Sequence, residues 1–112
     1  MNRKQLNEIL NQLKVELDVT EPIKLELRPM KIKAASVSLD RGIIRLNKNL
    51  IPDLDEECVR YLLIHELLHY KLKNTYHNGE FRKRLTDKLG KNKVTQLERK
   101  IIANLIRLNN TL

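Results

Sequence analysis

Asp55-Glu56-Glu57-Cys58-Val59-Arg60-Tyr61-Leu62-Leu63-Ile64-His65-Glu66-Leu67-Leu68-His69-Tyr70-Lys71-Leu72-Lys73 is the stretch that decides how this chain folds. It reads as one long helix. Asp55, Glu56 and Glu57 favour the positive end of a helix dipole, so the helix starts near Asp53 or Asp55. It runs through Val59, Leu62, Leu63, Ile64, Leu67 and Leu68 to about Lys73. Apolar side chains lie almost all round it, which predicts burial. A buried helix does not tolerate two histidines and a glutamate together unless partners or a metal satisfy them.

Those three polar residues have the spacing of a hydrolytic metal site. Side chains four apart share a helix face, so His65 and His69 can grip one ion. Glu66 lies about 100° round the helix from His65, within reach of a water at that ion. Zinc brings the pKa of such a water to about 7, and Glu66 can take its proton and return it to a leaving amine. Two histidines leave a three-ligand catalytic site one short. His77 is the only other histidine in the chain, and it stands in a short loop that can fold back beside the helix. Glu80, one turn further on, is either an alternative ligand or a hydrogen-bond acceptor behind His77. One Zn2+ per chain is expected. Cys58 lies seven residues before His65, about 10 Å along the helix, too far to join them.

Outward from this helix, Leu6, Ile9, Leu10, Leu13 and Leu17 recur at helical spacing, predicting an amphipathic helix over residues 3–17. Ile23, Leu25 and Leu27 alternate with Lys24, Glu26 and Arg28, the period-2 pattern of a half-buried strand. Residues 32–39 and 43–47 read as two further strands joined by Asp40-Arg41-Gly42, whose glycine can take a positive φ. Ala34, Ala35, Ser36 and Ser38 make a strand of small side chains, suited to close packing by a helix or to an edge open to an extended peptide. Beyond the central helix, Asn78 can cap a helix from Gly79 to Leu89 with Gly90 as its stop. Thr95 and Glu98 form a capping box for a final helix, Gln96 to Leu108. Its stripe of Leu97, Ile101, Leu105 and Leu108, widened by Ile102, must be buried against something. The expected fold is α+β: a small, mainly antiparallel three-stranded sheet packed on an N-terminal helix and the buried histidine helix, with two more helices after it.

Composition bounds the remaining possibilities. At 112 residues the chain is read as a single domain, 1–112, with one modest and aliphatic core. The first residues lack the apolar run of a signal peptide, and no stretch is long enough to cross a membrane. A single cysteine excludes an internal disulfide, and a cytoplasmic location is expected. The net charge is +8. Between Lys71 and Lys100, ten Lys and Arg stand against Glu80, Asp87 and Glu98, a difference of +7. Nucleic acid is a candidate partner on that ground, though no aromatic interleaving or binding motif accompanies the charge.

The order of a small-sided strand, Ile43-Ile44-Arg45-Leu46-Asn47, the His65–His69 motif and His77-Asn78-Gly79-Glu80-Phe81 resembles the minigluzincins, minimal zinc metallopeptidases with a core similar to SprT and HtpX domains. The resemblance covers roughly residues 3–90. It implies a zincin-like fold, a peptide or unfolded-protein substrate, His65, His69 and His77 as zinc ligands and Glu66 as general base. It also implies that the strand at about Lys33–Ser38, with Ala34, Ala35 and Ser36, is the rim that pairs with substrate backbone.

Latent forms, with a C-terminal segment over the cleft, are a further implication. Residues 95–112 are the candidate segment here, covering their own molecule or exchanged in a homodimer through the C-terminal helix. Two other readings stand beside the peptidase: a SprT-like protease acting on nucleic-acid-associated protein, and a non-catalytic zinc-binding interaction module. Structural zinc sites are usually closed by four ligands and rich in cysteine, and three histidines without a cysteine in reach leave an open position.

Overall fold

In the computed structural model, which describes residues 1–110, four helices surround a three-stranded sheet. Helix α1 spans Arg3–Glu16 and starts on a capping box formed by Asn2 and Gln5. Its face of Leu6, Ile9, Leu10 and Leu13 is buried, as the spacing predicts. Strands β1 (Lys24–Arg28), β2 (Ala35–Ser38) and β3 (Ile43–Asn47) follow. Helix α2 spans Glu56–Leu72, with Asp55 as its N-cap accepting from the Cys58 amide. Eleven of its residues are buried, including Glu66 and His69. Burial on every side is therefore the state of this helix, with α1, α3, α4, β2 and β3 all packed on it. Helix α3 is Gly79–Leu89, capped by Asn78, and α4 is Lys91–Asn110. Among the described residues, no helix is long and apolar enough to cross a membrane.

The sheet differs from expectation. It is mixed, in the order β1-β3-β2, with β3 parallel to β1 and antiparallel to β2. After β1 the chain passes the place β3 will occupy, forms β2 on the far side and returns through a tight turn into the gap. Ile44 and Leu46 thereby become fully buried at the sheet centre. Period-2 patterning reports which face of a strand is buried and carries no information on direction, which is why mixed pairing was not legible. The turn needs Gly42: its φ is +63°, and a Cβ there would stand 2.9 Å from the Pro22 carbonyl oxygen. The third element is also shorter than predicted, Ala35–Ser38 instead of 32–39.

The start of α4 is a second correction. The helix begins at Lys91, four residues before the expected Thr95 box. Thr95 Oγ1 bonds back to the Lys91 carbonyl at 3.2 Å, and the Glu98 carboxylate accepts from Tyr61 and Arg82. Val94 is buried with Leu97 and Ile101, so tertiary burial extends the helix by a turn beyond its local signal.

Candidate metal centre

His65 and His69 lie one turn apart on α2, and the chain must reverse for His77 to join them. Lys73 makes that reversal. It takes a left-handed conformation, φ 56°, while its amide and that of Asn74 bond back to the Tyr70 and His69 carbonyls. The loop then runs antiparallel to the end of α2 before Asn78 starts α3. As a result the rings of His65, His69 and His77 come together, with centroids 4.7, 5.0 and 4.9 Å apart. They offer nitrogen atoms that all lie within 4.8 Å of one another.

Phe81 forms the floor of the cluster. Fully buried, it stacks on His69 at 4.1 Å and meets the other two rings edge-on or tilted at 5.0 and 5.1 Å. Its aromatic face restricts all three imidazoles without competing for their nitrogens. His69 is only 4 % exposed, and its Nδ1 lies 3.1 Å from the Asn74 carbonyl oxygen, which it meets as donor. That bond fixes the tautomer and leaves Nε2 as a free lone pair. Burial, then the nearby His65, lowers the pKa of His69. Burial and His65 also lower that of His77, with Arg82 adding to the effect. Both shifts favour the neutral imidazole, the form that binds metal.

Glu66 is 6 % exposed, and its Oε1 stands 3.2 Å from His65 Nδ1. A buried carboxylate beside three imidazoles, with no lysine or arginine pairing it, belongs to a site and not to a salt-bridged surface. The three nitrogens fit one ion: a tetrahedral zinc with bonds of about 2.1 Å would draw them to about 3.4 Å apart, a matter of small side-chain rotations. Three imidazole ligands also leave a fourth position open.

The cluster opens into a cavity of about 340 Å³ lined by residues 33–37, Tyr61, Leu62, Thr75 and the site residues themselves. Ala34, Ala35 and Ser36 therefore line the same cavity as the histidines, and β2 is an edge strand whose outer backbone groups have no strand partner among the described residues. Glu80 lies elsewhere: its carboxylate accepts from Arg84 at 3.2 Å on the surface of α3. Among the described residues, none from α4 lines the cavity.

The chain matches the YgjP-like metallopeptidase-domain model over residues 2–100. It belongs to that family. The YgjP-like fold is shared with two solved metallopeptidase zymogens. Jannalysin of Methanocaldococcus jannaschii superposes with a TM-score of 0.81 at 37 % identity, over 89 % of this chain and 96 % of that one. Abylysin of Pyrococcus abyssi gives 0.82 at 31 %, over 89 % and 94 %. The uncharacterized protein MJ0123 of M. jannaschii is 38 % identical over 105 residues, 94 % of this chain and 96 % of the relative. The resemblance drawn from the motifs is borne out, and the chain is a metallopeptidase domain.

Three contributors to the YgjP-like site were missed. Asn74 acts through its backbone, which no side-chain motif reports. Asn47, fully buried at the end of β3, donates from Nδ2 to the Met30 and Lys33 carbonyls and so pins the strip that enters β2. A polar residue closing an apolar strand is a weak signal that was available. Tyr61 lines the cavity one turn before His65, but its hydroxyl donates to Glu98 at 2.6 Å, and burial with that carboxylate raises its pKa.

Proposed function

We propose that this chain is a zinc-dependent endopeptidase in which His65, His69 and His77 hold one zinc ion and Glu66 is the general base. The observation that carries the reading is the convergence of three imidazoles and one buried carboxylate on a cavity walled by an edge strand. Zinc bound there would supply Lewis acidity, lowering the pKa of a water and polarising the scissile carbonyl. Glu66 takes the proton from the attacking water and delivers it to the leaving amine. His69 is held by the Asn74 carbonyl, and Phe81 keeps the rings aligned. An extended peptide or unfolded protein lies along β2 past Ala34, Ala35 and Ser36, its backbone bonding to the edge groups that β3 leaves free.

Latency is part of this reading, and its support is narrower than residues 95–112. Val94, Leu97 and Ile101 belong to the core, and Glu98 holds Tyr61, so the first half of α4 is structural. The second half reaches the cleft's border, where Asn109 Nδ2 donates to the Lys31 carbonyl at 2.7 Å. Residues 111–112 of the proposed segment lie outside the described residues. Exchange between two copies would use the same half, where Ile102 and Ile106 are exposed. A cytoplasmic location accords with the lone, buried Cys58.

The basic segment behind the nucleic-acid variant of the reading is partly paired within the fold. Of the ten cations between Lys71 and Lys100, Lys73, Arg82, Arg84, Lys88, Lys93 and Lys100 pair with Glu21, Glu98, Glu80, Glu16, Glu57 and Asp55. Four of these partners, Glu21, Glu16, Glu57 and Asp55, come from outside the segment, so part of its excess charge is matched by the rest of the fold.

Zinc content and casein cleavage test the proposal in wild type, Glu66→Gln and a form truncated after Ala103. Glu66→Gln should retain stoichiometric zinc and lose cleavage by a factor of at least about 100. Loss of zinc together with activity would instead make Glu66 a structural group. Truncation after Ala103 should raise cleavage without unfolding the protein, and unchanged cleavage would remove the latency claim.

A further inference from the structure

Lys33 is the one lysine or arginine on the wall of the cavity that holds the three histidines. Its backbone is fixed, because its carbonyl accepts from the buried Asn47 amide at 3.0 Å. Its ammonium has no hydrogen bond or ion pair among the described residues. Cations elsewhere on the sheet are placed differently: Lys24, Arg28 and Arg45 all converge on Glu26.

No carboxylate is available to Lys33 from the segments bordering the cavity. Residues 29–39 carry Lys31 and Lys33 and no acid, and residues 74–79 carry His77 and no acid. The end of α4, tied to the Lys31 carbonyl through Asn109, has none between residues 99 and 110. Among the described residues Glu66 is the sole carboxylate on the cavity wall, and it is buried beside His65. With Glu66 buried and Lys33 exposed, the charge this concave surface presents to solvent is positive, and such a surface draws in ligands of the opposite sign.

We propose that this cleft selects peptides carrying a carboxylate near the scissile bond, and that Lys33 receives it. The proposal rests on the peptidase reading above and adds its substrate class. Lys33 stands two residues before Ala35, about 7 Å along the strand direction. A substrate aligned on the β2 edge therefore brings a residue within about two or three positions of the bond to be cut against Lys33. The small side chains of Ala34, Ala35 and Ser36 leave its stem room to lie along the wall. The carboxylate can be an Asp or Glu side chain or the chain's own terminus, which present the same chemistry.

The test uses the full zinc-loaded chain and short quenched peptides that are acetylated and amidated, with one Glu or the isosteric Gln moved through each position. One position should give a Glu over Gln preference in kcat/KM of about threefold to fivefold, the size of a partly exposed ion pair. That preference should fall toward unity between about 50 mM and about 500 mM salt. Lys33→Met should abolish the preference, and Lys33→Glu should invert it, changing the ratio by roughly tenfold. A free C-terminus in place of the amide separates a terminal from a side-chain carboxylate.

Equilibrium binding of the same peptides to Glu66→Gln reads the preference without turnover. Preferential binding of the Glu peptide, lost in Lys33→Met, supports the proposal even if no peptide is cleaved, and that result would overturn the peptidase reading alone. Equal kcat/KM and equal binding of Glu and Gln peptides at every position would overturn the proposal. So would a preference that survives Lys33→Glu unchanged.

Discussion

Asn47 offers the sharpest test of how the fold holds the cleft together. Its side chain is fully buried and makes three hydrogen bonds: Nδ2 donates to the Met30 and Lys33 carbonyls at 3.0 Å each, and Oδ1 accepts from the Asn49 amide at 3.0 Å. Asn47→Ala removes all three. Lys33 and Asn49 are exposed and Met30 is partly so, which lets the freed backbone groups find water. The cost should then be near the net value of about 1 kcal/mol per bond, or roughly 2–3 kcal/mol in all. With an unfolding entropy of about 2.1 cal/mol/K per residue, a chain of 112 residues should lose roughly 9–13 °C in Tm.

Asn47→Asp keeps the shape and reverses the sense of two bonds. At neutral pH a carboxylate would face two carbonyl oxygens with nothing to donate, so the loss should exceed that of Asn47→Ala. The new acid has its pKa raised in the folded state, because only the protonated form can donate. Its destabilisation therefore grows as pH rises above the unfolded value of about 3.9 and shrinks as pH falls back through it. Urea unfolding of wild type, Asn47→Ala and Asn47→Asp at about pH 7 and about pH 4.5 measures both effects. The reasoning fails if Asn47→Asp stays within about 0.5 kcal/mol of wild type, or if its gap to Asn47→Ala does not narrow in acid.

Two further expectations concern local geometry. Asp55→Ala should cost about 1 kcal/mol by removing the N-cap of α2. The Cys58 amide, with the Cys58 thiol and Lys100 adding to it, holds the Asp55 carboxyl below its usual range. The stabilisation is thus complete above about pH 4 and is lost as pH falls through the lowered folded pKa, so unfolding curves of mutant and wild type should converge in acid. Gly42→Ala should cost about 1–2 kcal/mol, since it needs φ +63° and presses a methyl to within 2.9 Å of the Pro22 carbonyl. A Gly42→Ala protein as stable as wild type in thermal melts would mean that the turn can rearrange.

Much of the site was legible because it is built on one helix. His65, Glu66 and His69 follow from helical spacing alone, and apolar residues on all sides of the same segment made their burial predictable. The positions of α1 and α3 followed for the same reason, since their capping asparagines or apolar stripes are local. Glu80 shows the limit of reasoning from proximity in sequence: one turn past His77 it points away and pairs with Arg84.

Thr95 and Glu98 show another limit. Their spacing matches a capping box, yet three buried residues of α4 and the bond from Tyr61 set where that helix begins. The ten cations of residues 71–100 are a third case. As a string they suggest a binding face, and in space four of them meet carboxylates from α1, the start of α2 and the turn before β1.

The amino-acid sequence by itself determined which residues could hold a metal, because ligand chemistry and helical period are properties of residues within a few positions of one another. Only the tertiary structure decided that His77 closes on the pair, through the left-handed turn at Lys73 and the aromatic floor at Phe81. It alone decided that β3 enters the sheet between β1 and β2, that β2 lines the cavity of the histidines, and that Lys33 has no counter-charge among the described residues. Each of these depends on where distant segments meet, and contact free energy between residues tens of positions apart has no periodic signature in the chain.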